Sequence, residues 1–348
     1  MQKGAAMKEK KRVMTEKPRN AETSVEYLRS WITANSAFFD RNQGEIPAEV
    51  DLAAWNLTVE GEVERELHFN FDEILRMPKA TVADTVECSG NSRSLLEVKA
   101  HGNPWTIGGV GNAVWGGVWL RELLNRAGLR KAAGHVAFEG FDQAKTKFIR
   151  SIPLEKAMDS TLLAYEMNGE PLPLKHGYPL RALALGWTGA NCVKWLAKIT
   201  VMDQPYQGFF MDKVYRVFQK DEESTAGTVV TSLRLKSIIT QPLAGEKLAR
   251  GKVAVLGAAY GGEQEVDKVE VSVDNGASWN EAEFIGPHER YAWRQWQYVW
   301  TAEQPGQFRI MARATDTNGQ RQPQQAEWNV LGYGNNGVKE HGISVEIE

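Results

Sequence analysis

Residues 80–97, ATVADTVECSGNSRSLLE, pass from an extended stretch into a loop of small polar residues that carries a single cysteine. The first nine residues are typical of a strand because they are rich in threonine and valine. The loop then places Cys88 two residues before Gly90 and three before Asn91, with Arg93 close behind. A cysteine that only fills a core needs no such surroundings, whereas a reactive or metal-binding thiolate is typical of an irregular loop beside a cation. Cys88 is therefore the candidate centre of the chemistry.

The cysteine content of the chain limits what Cys88 can do. Its 348 residues contain one other cysteine, Cys192, and two cysteines can form neither a disulfide framework nor a four-thiolate metal site. The composition is otherwise that of an ordinary soluble protein, with 42% hydrophobic residues, 24% charged residues and a net charge of −3. This balance gives no electrostatic case for binding nucleic acid or a membrane surface, and no stretch of about eighteen apolar residues is available to cross a membrane.

The N-terminal stretch is strongly basic. Residues 1–20 carry seven basic and two acidic side chains. No apolar run follows the basic residues, which argues against a secretory signal. We therefore expect residues 1–23 to form a flexible basic arm. We also expect the protein to be cytoplasmic, with both cysteines reduced.

Residues 24–230 predict an α+β domain. Helix-like and strand-like stretches mix there without the regular alternation of a doubly wound sheet. The clearest helix covers residues 118–128, VWLRELLNRAG, where Leu120 and Leu124 fall on one apolar face. Gly128 is typical of a helix end because glycine adopts the left-handed conformation readily. A chain of this length exceeds one core, so a second domain is expected.

Residues 231–348 predict an all-β domain, an immunoglobulin-like sandwich. Strand-like segments such as KVEVSVDNGASW (268–279) and QFRIMARATDTNG (307–319) follow one another between proline, glycine and Asn-Gly turns. Apolar residues alternate along both segments, so one face of each strand is expected to be buried. Such a domain commonly binds or assembles. We expect a homodimer interface formed by Trp279, Trp293, Trp296 and Trp300.

Four further stretches are too polar and too rich in glycine for a packed core. They bring arginine, lysine and histidine onto irregular backbone, and glycine lets backbone amides approach a ligand closely. Beside a thiol, this combination predicts a large anionic cofactor whose charges are neutralised by the cations and whose soft metal binds the thiolate. The stretches are residues 38–47, 104–119, 166–195 and 208–217.

Other chemistries fit the residues less well. The run GGVGNAV (108–114) resembles a dinucleotide-binding fingerprint, but Val114 stands where the third glycine is needed. The sequence has no Walker loop and no HExxH, and its six histidines lack zinc-ligand spacing. A cysteine protease stays open, with His101 or His176 as the partner of the thiol, although no strand-to-helix context supports it.

Four ordered runs of the sequence resemble the sulfite oxidase family of molybdenum enzymes. They are VECSGNSR (86–93), NAVWGGVWLRELL (112–124), LAYEMNGEPLPLKHGYPLR (163–181) and GANCVKWL (189–196). The resemblance extends from about Phe38 to Gly337, nearly the whole chain. It implies a mixed α/β molybdopterin-binding catalytic domain in residues 24–230 and a C-terminal sandwich similar to the dimerisation domain of that family.

The resemblance implies a molybdenum cofactor with one molybdopterin per metal. Cys88 matches the molybdenum ligand of the family. Gln43 stands where the family usually has histidine after its Arg-Asn pair. Cys192 and Asn191 replace bulkier basic residues of the family, and we expect Cys192 to pack beside the pterin rather than to bind metal. The positions implied to hold the molybdopterin are Arg41, Asn42, Asp142, His176, Arg181, Cys192, Val193 and Lys194.

The resemblance also implies a pocket for a small oxyanion. Tyr215 follows Lys194 at the spacing of the family's active-site tyrosine. A phenol there can hydrogen-bond an oxygen of the substrate and relay a proton. Arginine suits an oxyanion because its planar fork donates two hydrogen bonds at once. The other residues implied to line the pocket are Arg41, Arg93 and Trp105.

One pocket position departs from the pattern. Animal sulfite oxidases have a further pocket arginine in a WNxRG run near the C-terminus. Residues 328–332 here read WNVLG, so Leu331 replaces that arginine. The lost charge is expected to weaken sulfite binding or to change the substrate. Nitrate-reducing relatives also have an uncharged residue there, but they usually lack the tyrosine that is retained here as Tyr215.

These features predict a molybdenum-dependent oxidoreductase that oxidises sulfite to sulfate by oxygen-atom transfer and passes electrons to an external acceptor, such as a cytochrome. The sequence has no CxxCH motif, so we expect no haem. Two alternatives stay open. Leu331 favours the first, which is reduction of nitrate or of an S- or N-oxide on the same scaffold. The second is a non-catalytic molybdopterin-binding or assembly protein.

Overall fold

The computed structural model describes residues 9–142 and 146–348. Within them, mixed helices and strands form an N-terminal domain, and a β-rich domain follows. This order of domains confirms the predicted α+β fold class. The immunoglobulin-like type of the second domain stays a prediction.

Two five-stranded sheets form the body of the N-terminal domain. The first follows the order β10-β9-β6-β5, with β11 also paired to β9, and the second follows β4-β3-β12-β7-β8. Strands β1 and β2 form a hairpin, and β13 pairs with β14. The strands are β1 (Lys11–Glu16), β2 (Arg19–Thr23), β3 (Leu57–Gly61), β4 (Leu67–Phe69), β5 (Ala80–Glu87), β6 (Val110–Trp119), β7 (His135–Gly140), β8 (Ile149–Pro153), β9 (Thr161–Met167), β10 (Glu170–Pro171), β11 (Arg181–Ala184), β12 (Leu196–Met202), β13 (Arg216–Val217) and β14 (Thr228–Val229).

Short helices connect these strands. The α-helices of this domain are α1 (Phe71–Leu75), α2 (Leu120–Ala127), α3 (Leu154–Ser160) and α4 (Phe209–Asp212). The 3₁₀ helices are Val25–Leu28, Arg93–Leu95, Leu174–His176, Gly189–Asn191 and Ser224–Ala226. No helix in the described ranges has the length and apolar character needed to cross a membrane.

Helix α2 confirms the helix predicted over residues 118–128. Its apolar side chains, among them Leu124, are fully buried. It begins later than predicted because Trp119 still belongs to β6, whose pairing with β9 continues to that residue. Gly128 ends the helix at a φ of 73°, and its N–H donates to the carbonyl of Leu124. The helix therefore follows directly from the strand that runs through the centre of the first sheet.

The C-terminal domain consists of two facing sheets. One follows the order β15-β17-β21-β20 and the other β16-β23-β22-β18-β19. The elements are β15 (Lys236–Gln241), β16 (Lys247–Leu248), β17 (Gly251–Tyr260), β18 (Val266–Ser272), β19 (Asn280–Glu281), β20 (Glu283–Ile285), β21 (Arg294–Ala302), β22 (Gly306–Asp316), α5 (Val338–His341) and β23 (Ile343–Ile347). The predicted alternation is confirmed, since Val269, Val271 and Ile310 are fully buried in the core that the two sheets share.

Three of the four tryptophans expected at a dimer interface are buried within the protein. Trp296 and Trp300 pack in the core between the two sheets. Trp293 packs between the domains, and its indole N–H donates to the carbonyl of Trp31 at 2.9 Å. The prediction that these three form an interface is wrong, because their positions on β21 and just before it turn their rings toward neighbouring elements of the same chain.

The prediction of a flexible arm over residues 1–23 is wrong for residues 11–23. These residues form the hairpin β1–β2. Lys11 is buried and makes an ion pair with Asp40 at 2.7 Å, and Arg19 approaches the other oxygen of that carboxylate at 3.4 Å. Basic residues that are expected in solvent on composition alone instead neutralise a buried acid. Residues 1–8 lie outside the described residues.

Apolar and polar contacts join the two domains. Leu28 and Val110 of the N-terminal domain share a buried cluster with Leu233 and Ile238 of the following segment. Farther along, the buried imidazole of His341 lies within hydrogen-bonding distance of the Ser92 hydroxyl, at 2.8 Å, and of the carbonyl of Gly337, at 2.7 Å. The loop after Cys88 is thereby attached to the second domain.

The buried imidazole of His341 predicts a specific loss of stability in acid. Burial, together with the nearby Lys236 cation, lowers the pKa of His341 to about 3. The ring is thus neutral in the fold, whereas in the unfolded chain it gains a proton below about pH 6.5. Its stabilising contribution is complete above that pH and is lost as the pH falls from there toward 3, by about 2 kcal/mol at about pH 5.

Urea unfolding of the wild type and of His341→Gln at pH 7 and at pH 5 measures this contribution. The free energy of unfolding of the wild type should fall by about 2 kcal/mol more than that of the variant over this range. Other buried histidines are present in both proteins and cancel in the comparison. An equal loss in the two proteins would show that His341 carries no such penalty.

Candidate active site

A cavity of about 760 Å³, measured to its open mouth, lies in the N-terminal domain at the end of β5. Its wall brings together residues from both termini of the domain and from the glycine-rich stretches between them. Nine residues that were predicted to form the site line this cavity: Arg41, Asn42, Cys88, Asp142, His176, Arg181, Cys192, Lys194 and Tyr215. Arg93, Trp105 and Val193 are not on its wall.

Cys88 lies directly after β5 and is held by the backbone. Its N–H donates to the carbonyl of Gly109 at 2.8 Å, and its carbonyl accepts from the N–H of Asn91 at 2.8 Å. The guanidinium groups of Arg41 and Arg93 are close enough to interact electrostatically with the thiolate form of Cys88. Two cations therefore surround a thiol that faces the cavity, as the sequence predicts.

Three basic side chains, His176, Arg181 and Lys194, lie together on the cavity wall, and we call this part of the wall the cationic end. Lys194 donates from Nζ to the side-chain oxygen of Asn42, and to the carbonyl of Lys175 at 2.9 Å. Arg181 donates to the carbonyl of His176 at 3.0 Å and lies over the ring of Trp115. His176 and Arg181 are buried and Lys194 is partly buried, so these basic groups meet with little water around them.

The pKa values of these groups are lowered because the groups are buried and lie close to other cations. Burial, followed by the effect of neighbouring cations such as Lys11, lowers the pKa of His176 well below its usual value. Burial and the adjacent Arg181 likewise lower the pKa of Lys194 well below its usual value. An anion bound between these groups would favour their charged forms and remove part of this penalty.

Arg41 and Tyr215 form the substrate side of the cavity beside Cys88. Arg41 donates to the Tyr215 hydroxyl at 3.4 Å and to the side-chain oxygen of Asn20 at 3.2 Å. Gln43 donates from its amide nitrogen to the same Tyr215 hydroxyl at 2.6 Å. The phenol oxygen therefore accepts two hydrogen bonds, which leaves its own O–H free to donate toward the cavity.

Tyr215 is fixed by one aromatic and one cationic neighbour that the sequence did not indicate. Tyr333 stacks on it with ring centroids 5.5 Å apart and an angle of 14° between the rings. The guanidinium of Arg150 lies over its ring at 5.4 Å. The glycine-rich run around Tyr333 is a signal that could have identified it, whereas Arg150 lies on the regular strand β8 and carries no such signal.

Arg150 is fully enclosed. It donates to the side-chain oxygen of Asn191 at 3.0 Å and to the carbonyl of Phe210. Burial lowers the pKa of Arg150 to about 10, so the side chain keeps its charge at neutral pH. It ties the 3₁₀ turn at residues 189–191 to α4, and thereby joins two walls of the cavity.

Arg93 and Trp105 lie behind the cysteine loop rather than on the cavity wall. The Arg93 guanidinium donates to the carbonyls of Leu331 at 2.7 Å and Asn103 at 2.9 Å. It passes so close to Gly90 that a Cβ there would lie 2.4 Å from Nη2. A side chain at position 90 would therefore displace the guanidinium from its hydrogen bonds. Trp105 is fully buried and packs edge-on against Phe39.

The remaining predicted residues divide between wall and core. Cys192 is on the wall, and burial raises the pKa of its thiol to about 12, so it is a neutral packing group at pH 7. Burial also raises the pKa of Asp142. Val193 belongs to the main hydrophobic core. Leu331 packs against the small apolar cluster that contains Tyr215 and Tyr333, so the position of the absent arginine borders this cluster.

Two protein-family models match the chain. The oxidoreductase molybdopterin binding domain matches residues 43–210, and the Mo-co oxidoreductase dimerisation domain matches residues 228–346. Chicken sulfite oxidase is 34% identical over 92% of this chain and 75% of its own length. The chain belongs to the sulfite oxidase family of molybdopterin oxidoreductases.

Other relatives show how widely this family is spread. Rat mitochondrial sulfite oxidase is 35% identical over 97% of this chain, which spans 65% of the length of that relative. A nitrate reductase (NADH) of Phaseolus vulgaris is 31% identical over 92% of this chain and 40% of its own length. In the solved structures, the sulfane dehydrogenase SoxCD of Paracoccus pantotrophus is similar with a TM-score of 0.85 and 25% identity, covering 100% of this chain and 96% of that one.

The residues present fit the molybdopterin of this family. In the described part of the chain, His176 Nε2 and Arg181 Nε are buried at the cationic end without a hydrogen-bond partner. Buried polar atoms are normally paired, and the oxygens of a phosphate would supply the missing acceptors. Cys88, on the wall of the same cavity, is a thiol suited to a soft metal.

Replacement of Arg181 tests the cationic end directly. Arg181→Met removes a buried donor and its charge, so we expect the pterin and molybdenum bound per chain to fall by at least about tenfold. Metal analysis and fluorescence of the oxidised pterin measure both quantities.

Lys79→Met is the matched control, since it removes the same charge from an exposed ion pair with Glu166 outside the cavity. Its pterin and molybdenum content should equal that of the wild type. If Arg181→Met binds as much pterin and molybdenum as the wild type, the cationic end is excluded as the phosphate site.

Proposed function

We propose that the chain is a molybdenum cofactor-dependent oxidoreductase that oxidises sulfite to sulfate and passes the electrons to a separate acceptor. The observation that carries the proposal is the Tyr215 hydroxyl, held by Arg41 and Gln43 in the same cavity as Cys88. Sulfite oxidases are among the relatives that match nearly the whole chain. Their similarity supports the same reaction here.

The cofactor is proposed to occupy the length of the cavity. His176, Arg181 and Lys194 would hold its phosphate, and the Cys88 thiolate would be the protein ligand of the metal. Asp142, at the wall, would accept N–H groups of the pterin. When bound, the molybdenum cofactor supplies oxygen-atom transfer and accepts two electrons from the substrate.

The protein residues bind and orient the substrate. Arg41 is partly buried; although burial opposes its charge, the neighbouring Tyr215 and Cys88 raise the pKa of Arg41, so it is a fixed cation beside the thiol. Tyr215 donates its O–H to a sulfite oxygen, because its own oxygen already accepts from Arg41 and Gln43. These donors are in place before the substrate arrives, which is the condition for electrostatic stabilisation of an oxyanion.

A reductase that acts on nitrate or on an S- or N-oxide is the second candidate. Leu331, at the edge of the apolar cluster that contains Tyr215, provides no charge for a doubly negative substrate. The nitrate reductase among the relatives supports this alternative. A singly charged or neutral substrate would need fewer cations than sulfite, so the two candidates differ in the charge that the pocket has to neutralise.

Steady-state assays of the molybdenum-loaded protein separate these candidates. We expect sulfite-dependent reduction of ferricyanide to exceed nitrate-dependent oxidation of reduced viologen. In Tyr215→Phe, kcat for sulfite should fall by about a hundredfold because the donor and proton relay are removed. In Cys88→Ser, the pterin should be retained while turnover is lost.

The absence of any sulfite-dependent dye reduction would exclude sulfite oxidation. Loss of turnover with both substrates in the loaded wild type would favour a non-catalytic molybdopterin-binding protein. Unchanged turnover in Cys88→Ser would exclude the thiolate as the metal ligand.

Leu331 should limit the affinity for sulfite. Leu331→Arg adds a guanidinium at the edge of the apolar cluster that contains Tyr215, and one charge-assisted hydrogen bond to the substrate should lower KM for sulfite by about tenfold. Leu331→Met, which adds no charge, is the control and should leave KM near the wild-type value. A KM that does not respond to the added arginine would show that position 331 does not contact the substrate.

Assembly and location are part of the same proposal. The match to a dimerisation domain in residues 228–346 supports a homodimer, and the electron acceptor is proposed to be a separate cytochrome or a similar carrier. A cytoplasmic location is part of this proposal. Light scattering that gives the mass of a single chain would refute the dimer.

A further inference from the structure

The residue before Cys88 is joined to the C-terminal domain by a buried ion pair. One side-chain oxygen of Glu87 accepts from Lys236 Nζ, and from the Tyr260 hydroxyl at 2.8 Å. The same oxygen accepts from the side-chain amide of Asn91, at 2.9 Å. Glu87 is 4% exposed and Lys236 is 1% exposed. A carboxylate with three donors and no solvent is held in one place.

This cluster acts on both ends of the cysteine loop. Glu87 is the last residue of β5, and Asn91 lies three residues beyond Cys88. The side-chain oxygen of Asn91 also accepts from the N–H of Gly109 at 2.9 Å, and the carbonyl of Gly109 accepts from the N–H of Cys88. Glu87 therefore orients the amide that spans the loop, and the loop fixes the thiol.

The C-terminal domain contacts the rest of the loop as well. The N–H of Gly334 donates to the carbonyl of Ser89 at 2.9 Å, and the side chain of Asn335 donates to the carbonyl of Ser92 at 2.8 Å. His341 meets the Ser92 hydroxyl. Every second or third residue of the loop is thus bound to an element that lies more than a hundred residues away in sequence.

Burying an ion pair of this kind is a weak way to gain stability, because the loss of hydration offsets most of the attraction. An apolar pair would join the two domains equally well. A charged pair has a geometric advantage, since its strong, directional hydrogen bonds permit one arrangement only. The position of the pair, beside the candidate metal ligand, is where such precision matters.

We propose that Lys236 and Tyr260 are positioning residues for the Cys88 thiol, so that the C-terminal domain is a structural part of the active site as well as a candidate for self-association. Through Glu87 and Asn91, they hold the loop in the conformation that turns Cys88 toward the cavity. This positioning role depends only on the protein's own residues and is the same whichever substrate the site accepts.

Alkylation of the full-length, cofactor-free protein by iodoacetamide tests the proposal, with mass spectrometry to measure each cysteine separately. Lys236→Gln should raise the rate at Cys88 by at least about tenfold, because the loop loses a charge-assisted contact and opens more often. Loss of a nearby cation by itself would disfavour the thiolate and slow the reaction. An acceleration therefore reports position and not charge. Cys192, in the same cavity, is the internal reference and should not change.

Two further variants separate positioning from general loosening. In Glu87→Gln/Lys236→Gln, a neutral amide pair can restore the contact, and the rate at Cys88 should return to within about threefold of the wild type. Glu263→Gln removes the C-terminal member of another ion pair between the domains, with Lys156, and should leave the rate unchanged. If Lys236→Gln does not fold, Tyr260→Phe removes one hydrogen bond to Glu87 and should give a smaller acceleration at Cys88 alone.

An unchanged rate at Cys88 in Lys236→Gln, or in Tyr260→Phe if that variant is needed, would overturn the proposal. Equal acceleration of both cysteines would also overturn it, since this would indicate loosening of the whole domain. The assay involves no turnover, so its failure is distinguishable from failure of the proposed sulfite oxidation.

Discussion

Asp40 is a buried carboxylate among the cations at one end of the cavity. It makes ion pairs with Lys11 at 2.7 Å and Arg19 at 3.4 Å, and Lys175 Nζ lies 3.7 Å from the oxygen that Lys11 contacts. A carboxylate removed from water is stable only among cations, so the N-terminal hairpin and the loop before β11 meet at this point. Because Asp40 directly precedes Arg41, these pairs also fix the backbone from which Arg41 reaches into the cavity.

Strained backbone is found at the same site. Ser92, Trp195 and Tyr215 have φ values of 66°, 53° and 57°, a left-handed conformation that costs a residue other than glycine about 1–3 kcal/mol. All three belong to the site. Ser92 lies in the cysteine loop, Trp195 directly follows Lys194, and Tyr215 is on the cavity wall beside Arg41. Contacts from the surrounding chain have to outweigh this cost. The buried network on Glu87 and the stack of Tyr333 on Tyr215 are contacts of that kind.

The sequence predicted half of the residues on the cavity wall and part of the fold. Cys88 and the cationic end could be found because their surroundings, glycine-rich loops with basic residues, are local features of the sequence. The hairpin at residues 11–23 could not be found in this way. Its Lys11 and Arg19 are expected to face solvent unless it is known that Asp40 is buried beside them. The burial of Trp293 likewise depends on a facing domain. Composition cannot tell a ring that fills a core from a ring that forms an interface.

The sequence by itself determined the chemistry of the site, since one thiol, several cations and a phenol are properties of residue type and local order. Only the tertiary structure decided which of these groups share a cavity. It turned Arg93 behind the cysteine loop and brought Arg150 and Tyr333 onto Tyr215. The physical reason is that such contacts join segments far apart in the chain, and their approach is set by how the sheets and the two domains pack.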